Sequence, residues 1–80
     1  MPVILRTNGY RFFFYSNEGA PLEPVHIHVS KAGDEAKVWL EPFATLARND
    51  GFNARDLREI LNITTENRAF FVEKWNEYFA

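Results

Sequence analysis

Cysteine is absent from the 80 residues. That excludes a disulfide framework and any thiolate metal site, and it makes a reducing cytosolic compartment the simplest expectation. Glycine and proline number only 4 each, too few for a flexible linker or a fibrous repeat. No apolar run approaches the roughly 18 residues of a membrane span, so no membrane partner is expected. The opening MPVILRTNGY has neither the apolar core nor the cleavage site of a secretory signal. A strong excess of one charge is missing too: nine basic residues face eleven acidic ones, for a net charge of −2. Bulk charge therefore argues for no nucleic-acid partner, and any basic site has to be local. The length leaves no room for a two-domain enzyme or a repeat array, so residues 1–80 read as a single domain.

What the chain has in abundance is aromatic side chains, eight Phe, three Tyr and two Trp. Each buries roughly 150–250 Å², which matters in a small domain that covers only about 60% of its unfolded surface. The hydrophobic period changes along the chain. Residues 2–47 read mostly as strands and residues 54–79 as helix.

In VILRTNGYRFFFY, Asn8-Gly9 is the dipeptide that a two-residue type I′ hairpin turn prefers. A turn centred there pairs Thr7 with Tyr10, Arg6 with Arg11, Leu5 with Phe12, Ile4 with Phe13 and Val3 with Phe14. The polar loop SNEGAPLEP follows. VHIHVSK and EAKVWLE then alternate strictly around Ala32-Gly33. That pairing sets Val29 against Ala36, His28 against Lys37, Ile27 against Val38 and His26 against Trp39. Val25, Ile27, Val29, Ala36, Val38 and Leu40 share the core face, and His26, His28, Lys37 and Trp39 share the other. PFATLARN adds a short fifth strand.

Asn53 is an N-cap, with Asp56 three residues on and a Phe52–Leu57 staple. Leu57, Ile60, Leu61, Thr64, Phe71, Val72, Trp75, Tyr78 and Phe79 hold one stripe at 100° per residue. The stripe predicts one long helix over about 54–79; two helices joined near Thr64 are the alternative. The expected fold is α+β, an antiparallel sheet of four or five strands with one long C-terminal helix packed on one face.

The segments GYRFFFYSNE, EPVHIHV, EAKVWLEP, LARNDGF and ARDLREI…ENR…WNEYF, in that order, resemble the small bacterial proteins grouped as domain of unknown function 4160. Here Val25 separates Pro24 from His26, where the family pattern has Pro directly before the first His. The resemblance implies a compact α+β protein, often encoded beside a second small protein in a toxin–antitoxin-like pair. It carries no agreed activity and transfers no functional residue.

His26 and His28 are the only histidines. Two residues apart on a strand, they point to the same side with Cβ atoms about 7 Å apart. The plainest reading is two half-exposed strand residues beside Lys37 and Trp39. A metal would need a third ligand, a carboxylate such as Glu41 or Glu23. The pattern assigns no metal and no cofactor. A third reading joins His26 and His28 to Lys37, Arg6 and Arg11 as the kit of a metal-independent ribonuclease. Tyr10 and Trp39 would then stack on RNA bases. Against it stands the ordinary use of strand cations to block aggregation.

On the helix, Arg68 falls within the buried stripe. The plain reading buries its stem and lets its head reach out to solvent; a buried head needs a partner, Glu41, Asp50 or a main-chain carbonyl near the strand ends. Ile63 and Phe70, seven residues apart and off the stripe, mark a docking strip for a partner helix or a second copy of the chain. The expected function is therefore an interaction component of a two-protein, toxin–antitoxin-like module. The alternative is the small ribonuclease acting on RNA.

Overall fold

The structure is a computed structural model that describes residues 2–18 and 23–79. Five strands, β1 (Val3–Thr7), β2 (Tyr10–Phe13), β3 (His26–Lys31), β4 (Asp34–Trp39) and β5 (Thr45–Asp50), precede two helices, α1 (Ala54–Glu66) and α2 (Arg68–Phe79). The strands form one antiparallel sheet in the order of the sequence, β1-β2-β3-β4-β5. Neighbours in sequence are neighbours in space: two-residue turns join β1 to β2 and β3 to β4, and a longer connection, residues 14–25, joins β2 to β3.

Both tight turns are of the mirror-image kind that matches strand twist. Asn8 and Gly9 have φ of 52° and 82°, and Ala32 and Gly33 have φ of 52° and 88°. Asn tolerates this region because its short side chain bonds locally. Ala32 has no such compensation, and its Cβ makes the second turn the more strained of the two. The β3–β4 register agrees with the alternation throughout, including Val29 opposite Ala36 and His26 opposite Trp39.

The β1–β2 register departs from the expectation. Thr7–Tyr10, Arg6–Arg11 and Leu5–Phe12 pair as predicted, but a bulge follows and Val3 faces Phe13. The extra residue, Ile4, brings Val3 opposite Phe13 instead of Phe14. β2 keeps its own alternation, so Phe12 and Phe13 point to opposite faces, and both are buried. The fifth strand runs to Asp50, three residues past the expected end of the strand region, with its own irregularity opposite Lys37 and Val38.

The helical segment is broken, not continuous. Thr64, Thr65 and Asn67 donate from their side chains to the carbonyls of Ile60, Leu61 and Ile63, at 2.8, 2.7 and 2.8 Å. Such back-bonding competes with main-chain donors and bends helices. Asn67 leaves helical geometry (φ −109°, ψ 12°), and α2 begins at the next residue. The predicted N-terminus holds: the Asn53 side chain accepts from the Asp56 amide at 2.8 Å.

The helices cover one face of the sheet. Ile60, Phe71 and Trp75 pack with Phe12, Phe14, Ile27, Val29, Ala36, Val38 and Leu40, while Val25 is partly buried at the margin. Phe12 stacks on Phe71, and Phe14 meets Trp75 edge-on, with centroids 5.4 Å apart in each pair. Tyr78, expected in the stripe, is 46% exposed. Arg68 donates to the Leu40 carbonyl at 3.1 Å, the main-chain partner at a strand end that a half-buried guanidinium requires.

Candidate functional site

The sheet face away from the main core is also closed. Phe13, His26 and His28 are all at most 3% exposed. Two half-exposed histidines were expected, and the structure overturns this because the chain after β2 returns over that face. Tyr15 lies edge-on to His28 at 4.5 Å, and Phe13 stacks on the same ring at 5.6 Å. His26 lies edge-on to Trp39, with centroids 5.7 Å apart, and also meets Trp75 of the helix layer at 4.9 Å.

The turn after Tyr15 carries Glu18 into this layer. The Glu18 amide donates to the Tyr15 carbonyl at 3.4 Å, and the Tyr15 amide donates to Glu18 Oε1 at 3.0 Å. The side chain is thereby held inward, and the residue is 6% exposed. Its other oxygen, Oε2, lies 2.5 Å from both His26 Nε2 and His28 Nε2. One carboxylate oxygen thus holds both imidazoles together in a layer closed to solvent.

The remaining ring nitrogens differ. His26 Nδ1 is 2.8 Å from the Pro24 carbonyl, so it carries hydrogen and donates. His28 Nδ1 is buried without a hydrogen-bond partner. Glu35 Oε2 stands 3.7 Å away, too far for a hydrogen bond. Glu35 is itself oriented by the Tyr15 hydroxyl, which donates to its two oxygens at 2.8 and 3.0 Å, and by Arg48 at 3.6 Å.

Electrostatics follow from burial and these partners. Burial alone would raise the Glu18 pKa. The close contacts with His26 and His28 and the hydrogen bond from the Tyr15 amide outweigh it and hold the carboxyl below its ordinary range. Burial pushes the His28 imidazole below its ordinary value, against the pull of Glu18. The Tyr15 hydroxyl is pushed up, first by burial and then by Glu35.

The five residues of the ribonuclease kit do not converge. Lys37 does pair with His28 across the hairpin, but its ammonium points to Glu23 at 3.3 Å and lies 4.6 Å from the Trp39 ring centroid. Arg6 and Arg11 pair as expected. They line a separate groove of about 750 Å³ between the two hairpin turns, together with Lys31, Asp34 and Glu35. Arg11 donates to Ser30 Oγ there at 3.3 Å. Tyr10 cannot stack on a base: it is 1% exposed, and its hydroxyl donates to Glu59 at 2.8 Å. Ile63 is a further correction. It is buried in the core, because it lies only about 60° of arc from Ile60 and the break at Asn67 ends the shared phase. Phe70 is 39% exposed, so the expected two-residue strip is reduced to one.

Glu18, Glu35 and Tyr15 are the site residues that the sequence pattern missed. Glu35 was within reach of it, being two residues from Lys37 on the same face of β4 and diagonal to His28. Glu18 carries no such signal, since neither of the carboxylates weighed beside the histidines, Glu23 and Glu41, takes its place. Among the described residues, no helix is long and apolar enough to cross a membrane. No characterised protein and no solved structure matches the chain. A family model does match, over residues 9–76, and the chain belongs to that family, the domain of unknown function DUF4160.

Proposed function

We propose that this protein is an interaction component of a two-protein, toxin–antitoxin-like module, and that it docks through the outer side of α2. The observation that carries this reading is the contrast between inward-facing histidines and an outward-facing aromatic residue. A ribonuclease of this kind needs an imidazole in contact with a phosphodiester. Here both imidazoles are buried against Glu18, apart from Arg6 and Arg11. Phe70, by contrast, stands in solvent on α2. On the same helix, Glu73 and Glu77 fall within about 60° of arc of it, and the Lys74 ammonium lies 5.6 Å from its ring centroid. An exposed aromatic residue flanked by Glu73, Lys74 and Glu77 suits a partner with an apolar pocket and a charged rim.

The test is co-expression with the small protein encoded beside it, followed by sedimentation of the purified mixture. A stable heteromer is expected, weakened by at least about tenfold in Phe70→Glu, with an unchanged circular dichroism spectrum. Growth of a bacterial host and its RNA integrity are followed with this chain expressed alone. A monomer that ignores its neighbour and cleaves RNA by itself would replace this reading with the ribonuclease.

A further inference from the structure

The proton inventory of the buried centre does not close. His26 Nδ1 must carry hydrogen to serve the Pro24 carbonyl. In the neutral ring this leaves a lone pair on Nε2, aimed at a carboxylate oxygen 2.5 Å away. Two acceptors at that distance need a cation between them. At His28, if Nε2–H donates to Glu18, then Nδ1 presents a lone pair in a sealed layer. That nitrogen has no donor and faces the Glu35 carboxylate at 3.7 Å. A buried acceptor so placed costs free energy and is rare in folded proteins.

We propose that Glu18, His26 and His28 form a binding site for a divalent first-row transition metal with an N₂O ligand set, and that Zn²⁺ fits it. One ligand atom from each residue lies within 4.8 Å of the others, and all three residues are buried. A metal on both Nε2 atoms removes both anomalies. His26 keeps its Nδ1–H on Pro24. His28 is forced to carry its hydrogen on Nδ1, so the contact with Glu35 changes from lone pair against anion to N–H against acceptor.

All three ligands then have an outer partner, the Pro24 carbonyl, the Glu35 carboxylate and the Tyr15 amide on Glu18 Oε1. Such outer partners are the habitual companions of metal-bound histidine and carboxylate. Tetrahedral bonds of about 2.0–2.1 Å would open the N···O separations to about 3.3 Å. A small retreat of Glu18 on its turn supplies that. Three protein ligands leave a fourth position for a water or other small donor. Because the layer is closed, the role is structural: the ion ties the Tyr15–Glu18 turn to β3. This inference does not depend on how α2 docks.

The chain offers a clean experiment, since it has no Cys and no His beyond this pair. Chelator-treated protein is titrated with Zn²⁺ alone, and separately with Co²⁺, while NMR follows the imidazole nitrogens. Expected are one ion per chain, movement of both ring systems, a raised Tm and visible Co²⁺ bands of a tetrahedral N/O site. Glu18→Gln should weaken Zn²⁺ by more than the roughly 10–100-fold that loss of an outer partner costs, and Glu35→Ala by an amount within that range. Unmoved ring signals and an unchanged Tm in millimolar Zn²⁺ would mean a centre filled by a proton, and would overturn the proposal. So would undiminished binding by a folded Glu18→Gln variant, which would mark adventitious capture by the His pair alone. If that variant does not fold, the Co²⁺ spectrum and ring shifts of the unaltered chain still decide.

Discussion

The two faces of the sheet are equally dry and are built on different principles. Beneath the helices, Phe12, Ile27, Val29, Val38, Phe71 and their neighbours need only shape and apolar area. Burial of this kind is non-directional, and neighbours can shift to fill small errors. On the other face, Phe13 is buried beside His26, His28 and Glu18. There each polar atom must find a partner, and one missing hydrogen leaves a cost that packing cannot repair. The contrast shows why the first face tolerates approximate reading from a pattern and the second does not.

The largest expected effect is on the apolar face. Phe71 is fully buried and stacked on Phe12. Phe71→Ala should cost about 3–5 kcal/mol by denaturant unfolding, through lost transfer energy and a cavity. On the polar face, Glu18→Ala removes the carboxylate oxygen that both imidazoles contact. It should cost about 2–4 kcal/mol despite deleting fewer buried atoms. A loss below about 1 kcal/mol would mean that solvent or another group reaches the pair, and that the two faces follow the same principle.

Acid separates the faces without mutation. The folded state holds His28 below its ordinary 6.5 and Glu18 below its ordinary 4.5. Unfolded chains therefore take up protons first, and stability present above those values is lost as the pH falls through each folded value. Urea midpoints measured from pH 7.5 to 3.5 should decline in two stages. Phe71→Ala should lower the whole curve without changing its shape, whereas Glu18→Gln should flatten the lower stage. Identical curve shapes in the two variants would remove the polar centre as the source of acid sensitivity. The smallest effect concerns the turn that carries the second hairpin. Ala32→Asn should add about 0.5–1 kcal/mol, because Asn accepts the positive φ that strains Ala. An unchanged Tm would show that the strain is already relieved by the flanking strands.

Local chemistry determined a good deal. The Asn8-Gly9 turn, the β3–β4 register, the apolar set on β3 and β4, and the Asn53 cap were all legible. Each rests on neighbours within a few residues, or on a period of two that any slip would invert. The helix break was only half legible. Thr64, Thr65 and Asn67 announce poor helix propensity, but whether a chain bends or runs on through them depends on what its two halves pack against.

Three matters were left to tertiary structure. Ile63 reads as exposed by phase, yet the bent helix buries it. The His face reads as solvated by alternation, yet returning chain covers it. Glu18 reads as one carboxylate in a polar loop, yet it meets two histidines eight and ten residues away. Alternation along β3 puts His26 and His28 on one side because strand geometry is periodic. Nothing periodic brings Glu18 to them: its position follows from a non-repeating turn braced on Tyr15, and only the packed fold sets that turn's path.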